Sequence, residues 1–311
     1  MRRDGSVALI AIQMRTTLED YQHESYLARR VDRLLAAARQ QVQAGLPALV
    51  VLPEDIGLGM LFFDDYEAVR GCKSIFEAAG VLLQRYASSI QQKVEKLRVS
   101  PTRALLLVLG ERLEPRYRRL FSQAARKHKV TLVAGTAPLP DRQRSPAVYN
   151  TCYVFNPNGQ LILTQRKVHL IPLEQDSGMD LCPATVDEVQ VVDTPAGRLG
   201  VAICLDAFHT DVVEALARQK ARLIAQPSFN PLPWTPEQAE SWKTGLWQAC
   251  QRYPDVIGIN PMMVGKLFDD VVMEGRSSIV AHASRTHDGS GYLAQASNAV
   301  HEEIVAVEIN P

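Results

Sequence analysis

Three side chains have the chemistry to act together on a carbonyl or nitrile carbon, and each stands where an apolar run stops. Cys204 follows Gly200-Val201-Ala202-Ile203, Glu54 follows Val50-Val51-Leu52-Pro53, and Lys167 follows Leu161-Ile162-Leu163-Thr164-Gln165-Arg166. A thiolate can add to an electrophilic carbon and form a covalent adduct that water then resolves, which divides one difficult hydrolysis into two easier steps. A free thiol has a pKa of about 8.5 and is mostly protonated near neutrality, so a base or a cation must stand beside it. A carboxylate and an ammonium fit those two tasks. Taken singly, each residue also has a plainer reading: Cys204 as a small buried hydrophobe, Glu54 and Lys167 as solvated charges.

To act together, these residues need rigid elements that aim them into one cleft. Val7 to Ile12 and Ala48 to Pro53 are fully apolar runs of strand length, and the helical pattern between them, from Tyr26 to Ala44, is stopped by Gly45-Leu46-Pro47. The order strand, helix, strand suggests a βαβ unit. Pro115 to His128 reads as a helix with its proline in the first turn, followed by a strand from Val130 to Gly135. Tyr149 to Phe155 and Leu161 to Lys167 flank Asn156-Pro157-Asn158-Gly159, a hairpin signal. Val189 to Asp193 and Leu199 to Cys204, joined by Thr194-Pro195-Ala196-Gly197, form a second hairpin. A helix near Thr210 to Gln219, a strand at Leu223 to Gln226 and a helix from Glu237 to Arg252 come next, then strands at Val256 to Asn260, Ser277 to Ala281 and Ile304 to Ile309. No linker, low-complexity tract or short-period repeat interrupts this alternation, so a single α/β domain is expected. Its strands are apolar on both sides and need cover on both faces.

Composition narrows the function classes. A chain of 311 residues, 46% hydrophobic and 22% charged, can bury a large core. Lys plus Arg equals Asp plus Glu at 34 each, which argues against a nucleic-acid binder, since such proteins carry a basic excess to neutralise phosphates. The five cysteines lack paired CxxC spacings and read as free thiols in a reducing compartment, with no metal set. The apolar run near the start is too short for a signal peptide and no stretch reaches the length of a membrane span, so a cytoplasmic location without membrane association is expected. No Walker loop or GxGxxG follows a strand, so no nucleotide cofactor is indicated. His209 is near Cys204 in sequence, but nothing resembles the cysteine block of papain-like enzymes.

The ordered combination says more than any single residue. Val51-Leu52-Pro53-Glu54, Arg166-Lys167-Val168-His169-Leu170 and Gly200-Val201-Ala202-Ile203-Cys204-Leu205-Asp206 resemble, in that order, the three signature blocks of the nitrilase superfamily of carbon-nitrogen hydrolases. The flanks agree: Tyr149-Asn150-Thr151, Asn156-Pro157-Asn158-Gly159, Gln226-Pro227-Ser228 and Gly275-Arg276-Ser277-Ser278-Ile279-Val280. The resemblance covers nearly the whole chain.

By that resemblance, residues 1–311 form one carbon-nitrogen hydrolase domain with a four-layer αββα sandwich, and protomers pair into homodimers or higher homo-oligomers. It implies Cys204 as nucleophile, Glu54 as general base and Lys167 as oxyanion stabiliser, without a metal or cofactor, acting on a small-molecule substrate. The backbone N–H of Leu205 would assist at the oxyanion. Many members place a second glutamate after the lysine to orient it or a water; Glu174 stands seven positions on, one short of the usual spacing, and a solvated loop carboxylate is the alternative. His169 receives no catalytic role. Asp206 matches amidase-like branches, where true nitrilases carry glutamate, so a linear amide is the expected substrate. An acyltransferase passing the acyl group to an amine, or a non-catalytic binding protein of the same fold, would use the same scaffold. Residues 61–110 exceed the family's usual length, with Phe76, Leu83, Ile90, Val94 and Leu97 at helical spacing. This insertion is expected to form helices that shape the cleft mouth or a subunit contact, or else a surface pair packing on its own core.

Overall fold

The computed structural model of the protein describes residues 5–141 and 143–310. Its elements run β1 (Val7–Thr17), α1 (Glu24–Gln40), β2 (Ala48–Val51), α2 (Tyr66–Val69), α3 (Ile75–Arg85), α4 (Ala87–Leu97) and α5 (Pro101–His128). Then come β3 (Thr131–Pro140), β4 (Val148–Phe155), β5 (Leu161–Arg166), β6 (Val191–Thr194), β7 (Gly197–Val201), α6 (Thr210–Arg218) and β8 (Leu223–Ala225). The rest is α7 (Pro236–Trp242), α8 (Gln248–Arg252), β9 (Ile257–Asn260), β10 (Met263–Lys266), β11 (Val272–Met273), β12 (Ser278–Val280), β13 (Tyr292–Gln295) and β14 (Glu303–Ile309).

Alternation along single strands divides the apolar side chains between two neighbours, and that division builds the layers. In β1, Ala8, Ile10, Ile12 and Met14 pack among helices, whereas Val7, Leu9 and Ala11 point the other way, into a second sheet. The first sheet has the order β11-β10-β1-β2-β3-β4-β5, with β14 beside β1, and the second the order β13-β12-β9-β8-β7-β6. Leu49, Val51, Val133, Val154 and Leu163 of the first meet Leu199, Val201, Leu223, Ile257, Ile259 and Ile279 of the second in a dry layer between them. Outside the first sheet lie α1 and α5, through Leu27, Val31, Leu35, Leu109, Tyr117 and Phe121. Outside the second lie α6 and α8, through Val212, Leu216 and Cys250 against Ala202, Ile224 and Val280. The result is the single-domain αββα sandwich that the sequence led us to expect.

Several boundaries differ from the sequence reading. Pro115 is inside a helix that already starts at Pro101, so it is not a first-turn proline. It stands on the exposed face, where the hydrogen bond it cannot make leaves a carbonyl open to water. The helix expected from Glu237 to Arg252 is broken by a π turn, Lys243–Trp247, in which Gly245 leaves helical geometry. A side chain there would press on the Phe208 ring. The short strands β10, β11 and β13 are additional to those expected. The insertion does not pack on its own core: Ala78, Leu82, Ile90, Ala104 and Leu105 join the cluster that also holds α1 and the first sheet.

One glycine bears on the site. Gly135 in β3 has φ +70°, and a Cβ there would come within 2.1 Å of the Pro53 carbonyl oxygen. Only glycine lets β3 approach so closely to the turn that carries Glu54.

Candidate active site

Each chemistry-bearing residue leaves its strand at the same end of the sandwich, so the two sheets present them to one another. Glu54 follows β2 and Lys167 follows β5 in the first sheet; Cys204 follows β7 in the second. All three are removed from water, with Glu54 2%, Lys167 1% and Cys204 7% exposed. Glu54 and Lys167 are therefore not solvated surface charges, the plainer reading their sequence positions allowed.

The centre is the Lys167 ammonium. Its Nζ donates to Glu54 Oε1 at 2.7 Å and to Glu174 Oε2 at 2.7 Å. Glu174 is buried, not a solvated loop carboxylate, and its Oε2 also accepts from the backbone N–H of Ile171 at 3.0 Å. Asn150 on β4 ties the carboxylates together: Nδ2 donates to Glu54 Oε1 at 3.1 Å and to Glu174 Oε1 at 2.6 Å. Sequence reasoning had placed Asn150 only within a matching block. Its bridging follows from contacts across 24 and 96 residues, which no local pattern encodes.

Cys204 opens a 3-10 turn, Cys204–Phe208, with a left-handed φ of 46°. For a non-glycine residue this conformation costs energy and requires support. Three bonds supply it: the Cys204 N–H donates to Pro227 O at 2.9 Å, Gln226 Nε2 donates to Cys204 O at 2.9 Å, and Sγ lies 3.7 Å from Phe229 O. The Glu54 carboxylate is near enough for its charge to act on the thiol. Leu205 is the next residue of the turn.

Burial sets the protonation balance. It pushes the Cys204 thiol well above its ordinary value, the Glu54 charge adds to the rise, and Lys167 opposes it. Burial likewise raises Glu54, reinforced by Glu174 and opposed by Lys167. For Lys167 burial favours the neutral amine, but Glu54, Cys204 and Glu174 outweigh it and hold the ammonium well above the lysine range. At rest the arrangement is a protonated thiol beside a carboxylate that can receive its proton, with a fixed cation alongside.

Asp206, 1% exposed, braces the two strand ends. Its carboxylate accepts from the backbone N–H groups of Val168 at 3.1 Å, His169 at 2.7 Å and Ile203 at 3.2 Å, so the segment after Lys167 is laced to the segment before Cys204. Burial pushes its pKa up to about 7, opposed by the His169 N–H, Lys167 and the Val168 N–H. Asp206→Asn keeps the shape but turns an amide N–H toward backbone donors. An equilibrium urea titration is expected to find a loss of about 1–3 kcal/mol; an unchanged midpoint would show that the brace carries no stability.

Among the described residues one group has the side chains for a metal, away from the thiol: His169, His209 and Asp211, with donor atoms within 4.8 Å of one another. His169 Nε2 lies 2.9 Å from Asp211 Oδ1, and the two imidazoles stack at 3.7 Å with 12° between planes. Lone pairs in near-parallel planes run alongside each other rather than converge on an ion. His169 contacts Asp206 through its backbone N–H, while its ring faces His209 and Asp211.

The chain is similar to known proteins in sequence and in fold. The profile of the carbon-nitrogen hydrolase family matches residues 7–249. An omega-amidase of Saccharomyces cerevisiae is 34% identical over 125 residues, 37% of this chain and 43% of that protein. An omega-amidase of Xenopus laevis is 33% identical over 129 residues, 39% of this chain and 45% of that protein. The matched segment thus spans under half the length of these curated relatives. The carbon-nitrogen hydrolase structure from Helicobacter pylori superposes with TM-score 0.66 at 20% identity, covering 98% of this chain and 89% of that one. A nitrilase-superfamily structure from Saccharomyces cerevisiae gives TM-score 0.64 at 22% identity, covering 99% and 91%. The fold is shared with both.

Proposed function

Because this chain belongs to the carbon-nitrogen hydrolase family, we propose that it hydrolyses a linear amide, with Cys204 as nucleophile, Glu54 as general base and Lys167 as oxyanion stabiliser. The observation that carries this reading is the buried Lys167 ammonium, shared between Glu54 and Glu174, with the buried Cys204 thiol within the reach of both the Glu54 and the Lys167 charge. The omega-amidase relatives favour an amide over a nitrile, as does the Asp206 position in the cysteine block.

In the reaction Glu54 takes the thiol proton as Sγ bonds to the carbonyl carbon. The oxygen becomes an oxyanion, held by the Lys167 ammonium and the N–H of Leu205. Glu54 returns the proton to the leaving nitrogen, the C–N bond breaks, and ammonia or an amine departs from a thioester on Cys204. Water then enters, Glu54 removes its proton, and a second oxyanion collapses to release the acid and restore the thiol. While Glu54 holds the proton it is neutral, and the Glu174 carboxylate remains as the counter-charge of the Lys167 ammonium in a water-poor site.

Mass spectrometry of the intact protein mixed with a panel of linear amides tests the proposal. An acyl adduct on Cys204, raising the mass by the acyl group less the thiol hydrogen it replaces, is expected, together with release of ammonia or amine. Neither adduct nor turnover on any amide would refute it, and turnover only with an added acceptor amine would make the protein an acyltransferase instead.

A further inference from the structure

Glu174 stands on a loop with little regular structure, yet its carboxylate meets Lys167 and Asn150 in the most buried part of the site. Part of the loop's order is internal. Pro172–Glu174 forms one 3-10 turn, Met179 N donates to Leu173 O at 2.8 Å, Asp180 N to Gln175 O at 2.8 Å, and Leu181 N to Glu174 O at 2.8 Å. At Gly178 a Cβ would come within 2.0 Å of Leu173 O, so the chain folds back on itself tightly.

The rest of the order comes from the insertion. Ser100 caps α5, accepting from the Arg103 N–H at 3.0 Å, and its hydroxyl donates to Asp180 Oδ2 at 2.6 Å. Arg103 grips the same residue twice: Nη2 to Oδ1 at 2.5 Å and Nε to the backbone oxygen at 2.8 Å. Asp180 has a left-handed φ of 52°, and both its charge and its carbonyl are committed to α5. One turn further along α5, Leu106 and Leu107 pack with Val148, Leu181, Leu170 and Met179, a small apolar cluster separate from the main cores. Two arginine bonds, one to the Asp180 carboxylate and one to its backbone oxygen, and an apolar seat together fix both the position and the rotation of the loop.

We propose that Arg103 and Asp180 are positioning residues, forming a clamp by which the inserted helices hold the Glu174 loop against Lys167. This gives residues 61–110 a role in the reaction without any contact with substrate, and it rests on the amide-hydrolysis reading above. With the clamp open, Glu174 swings away from Lys167. Glu54 then loses a like charge that raises its pKa and keeps the ammonium to itself, so its pKa falls.

The test compares Arg103→Ala, Arg103→Lys, Asp180→Asn and Glu174→Gln with the unaltered protein. Two readouts are used: amide turnover against pH, and the pH dependence of Cys204 alkylation by iodoacetamide followed peptide by peptide. The clamp predicts a fall in kcat of about 10- to 100-fold in Arg103→Ala and Asp180→Asn, with KM changed less. It also predicts that the acid limb of both profiles moves to lower pH, as in Glu174→Gln. Arg103→Lys, which keeps the charge and loses the fork, recovers part of kcat. If Arg103→Ala does not fold, Asp180→Asn and Arg103→Lys carry the comparison. A lower unfolding midpoint with kcat and the acid limb unmoved well below that midpoint would overturn the clamp and leave an ordinary structural ion pair. Shifted alkylation profiles without turnover on any amide would keep the clamp and reject the amide reading.

Discussion

Replacing Cys204 by alanine is expected to lower amide turnover by at least about 10⁴-fold while leaving unfolding by urea nearly unchanged. Removing a nucleophile that forms a covalent intermediate costs far more than removing a group that only assists it. No other thiol can substitute. Cys152 and Cys250 are buried in the packing of the sandwich, with burial holding both thiols above their ordinary range. Cys72 and Cys182 are half-buried and outside the cluster of Glu54 and Lys167. The alanine loses only a sulfur at a position already fixed by Pro227 and Gln226 through the backbone, so the fold should tolerate it. Ammonia release and a urea titration on the same preparation decide the matter, and residual turnover above a hundredth of the original would reject Cys204 as the nucleophile.

Lys167→Met should harm both activity and stability. The methionine fills the volume but leaves Glu54 and Glu174 facing one another without a counter-ion, and stripping one partner from a buried ion pair costs about 3–5 kcal/mol. Loss of one oxyanion donor costs a further factor of about 10²–10³ in kcat. The stability loss has a pH signature. Glu54 is already raised by burial, and without Lys167 it rises further above its unfolded value of about 4.3. Between the unfolded and folded values the folded protein holds a proton that the unfolded chain has released. The variant is therefore relatively most stable below the unfolded value and loses stability as pH rises through the folded one. Urea midpoints at pH 5 and pH 8 should differ more for the variant than for the parent, in favour of pH 5. Equal differences would mean that the lysine does not hold the carboxylate charge in place.

What could be read from the chain depended on how far each signal reaches. Apolar runs such as Val7 to Ile12 and Ala48 to Leu52 announced themselves as strands because burial on both faces leaves no room for polar residues. The positions of Glu54, Lys167 and Cys204 at strand ends were legible for the same reason. Their convergence was not, because nothing local in a strand says which sheet it joins. Glu174 was singled out only by the resemblance, with a loop charge left as the alternative, because its partners, Lys167 and Asn150, meet it only through the fold of the loop. Pro115 misled in the opposite sense: a residue that favours a helix start stands on the wet side of a longer helix, where its missing bond is cheap. Asp206 was legible as part of a motif, while its lacing of Val168, His169 and Ile203 required three backbone amides from two sheets.

The Cys204 thiol and the Glu54 carboxylate hang from different sheets, and between the sheets lies a buried layer made largely of aliphatic side chains, Leu49 and Val51 against Leu199 and Val201 among them. That layer works as a shim. Its thickness sets the distance between those two groups, so residues that never meet a substrate are answerable for a length as well as for cohesion.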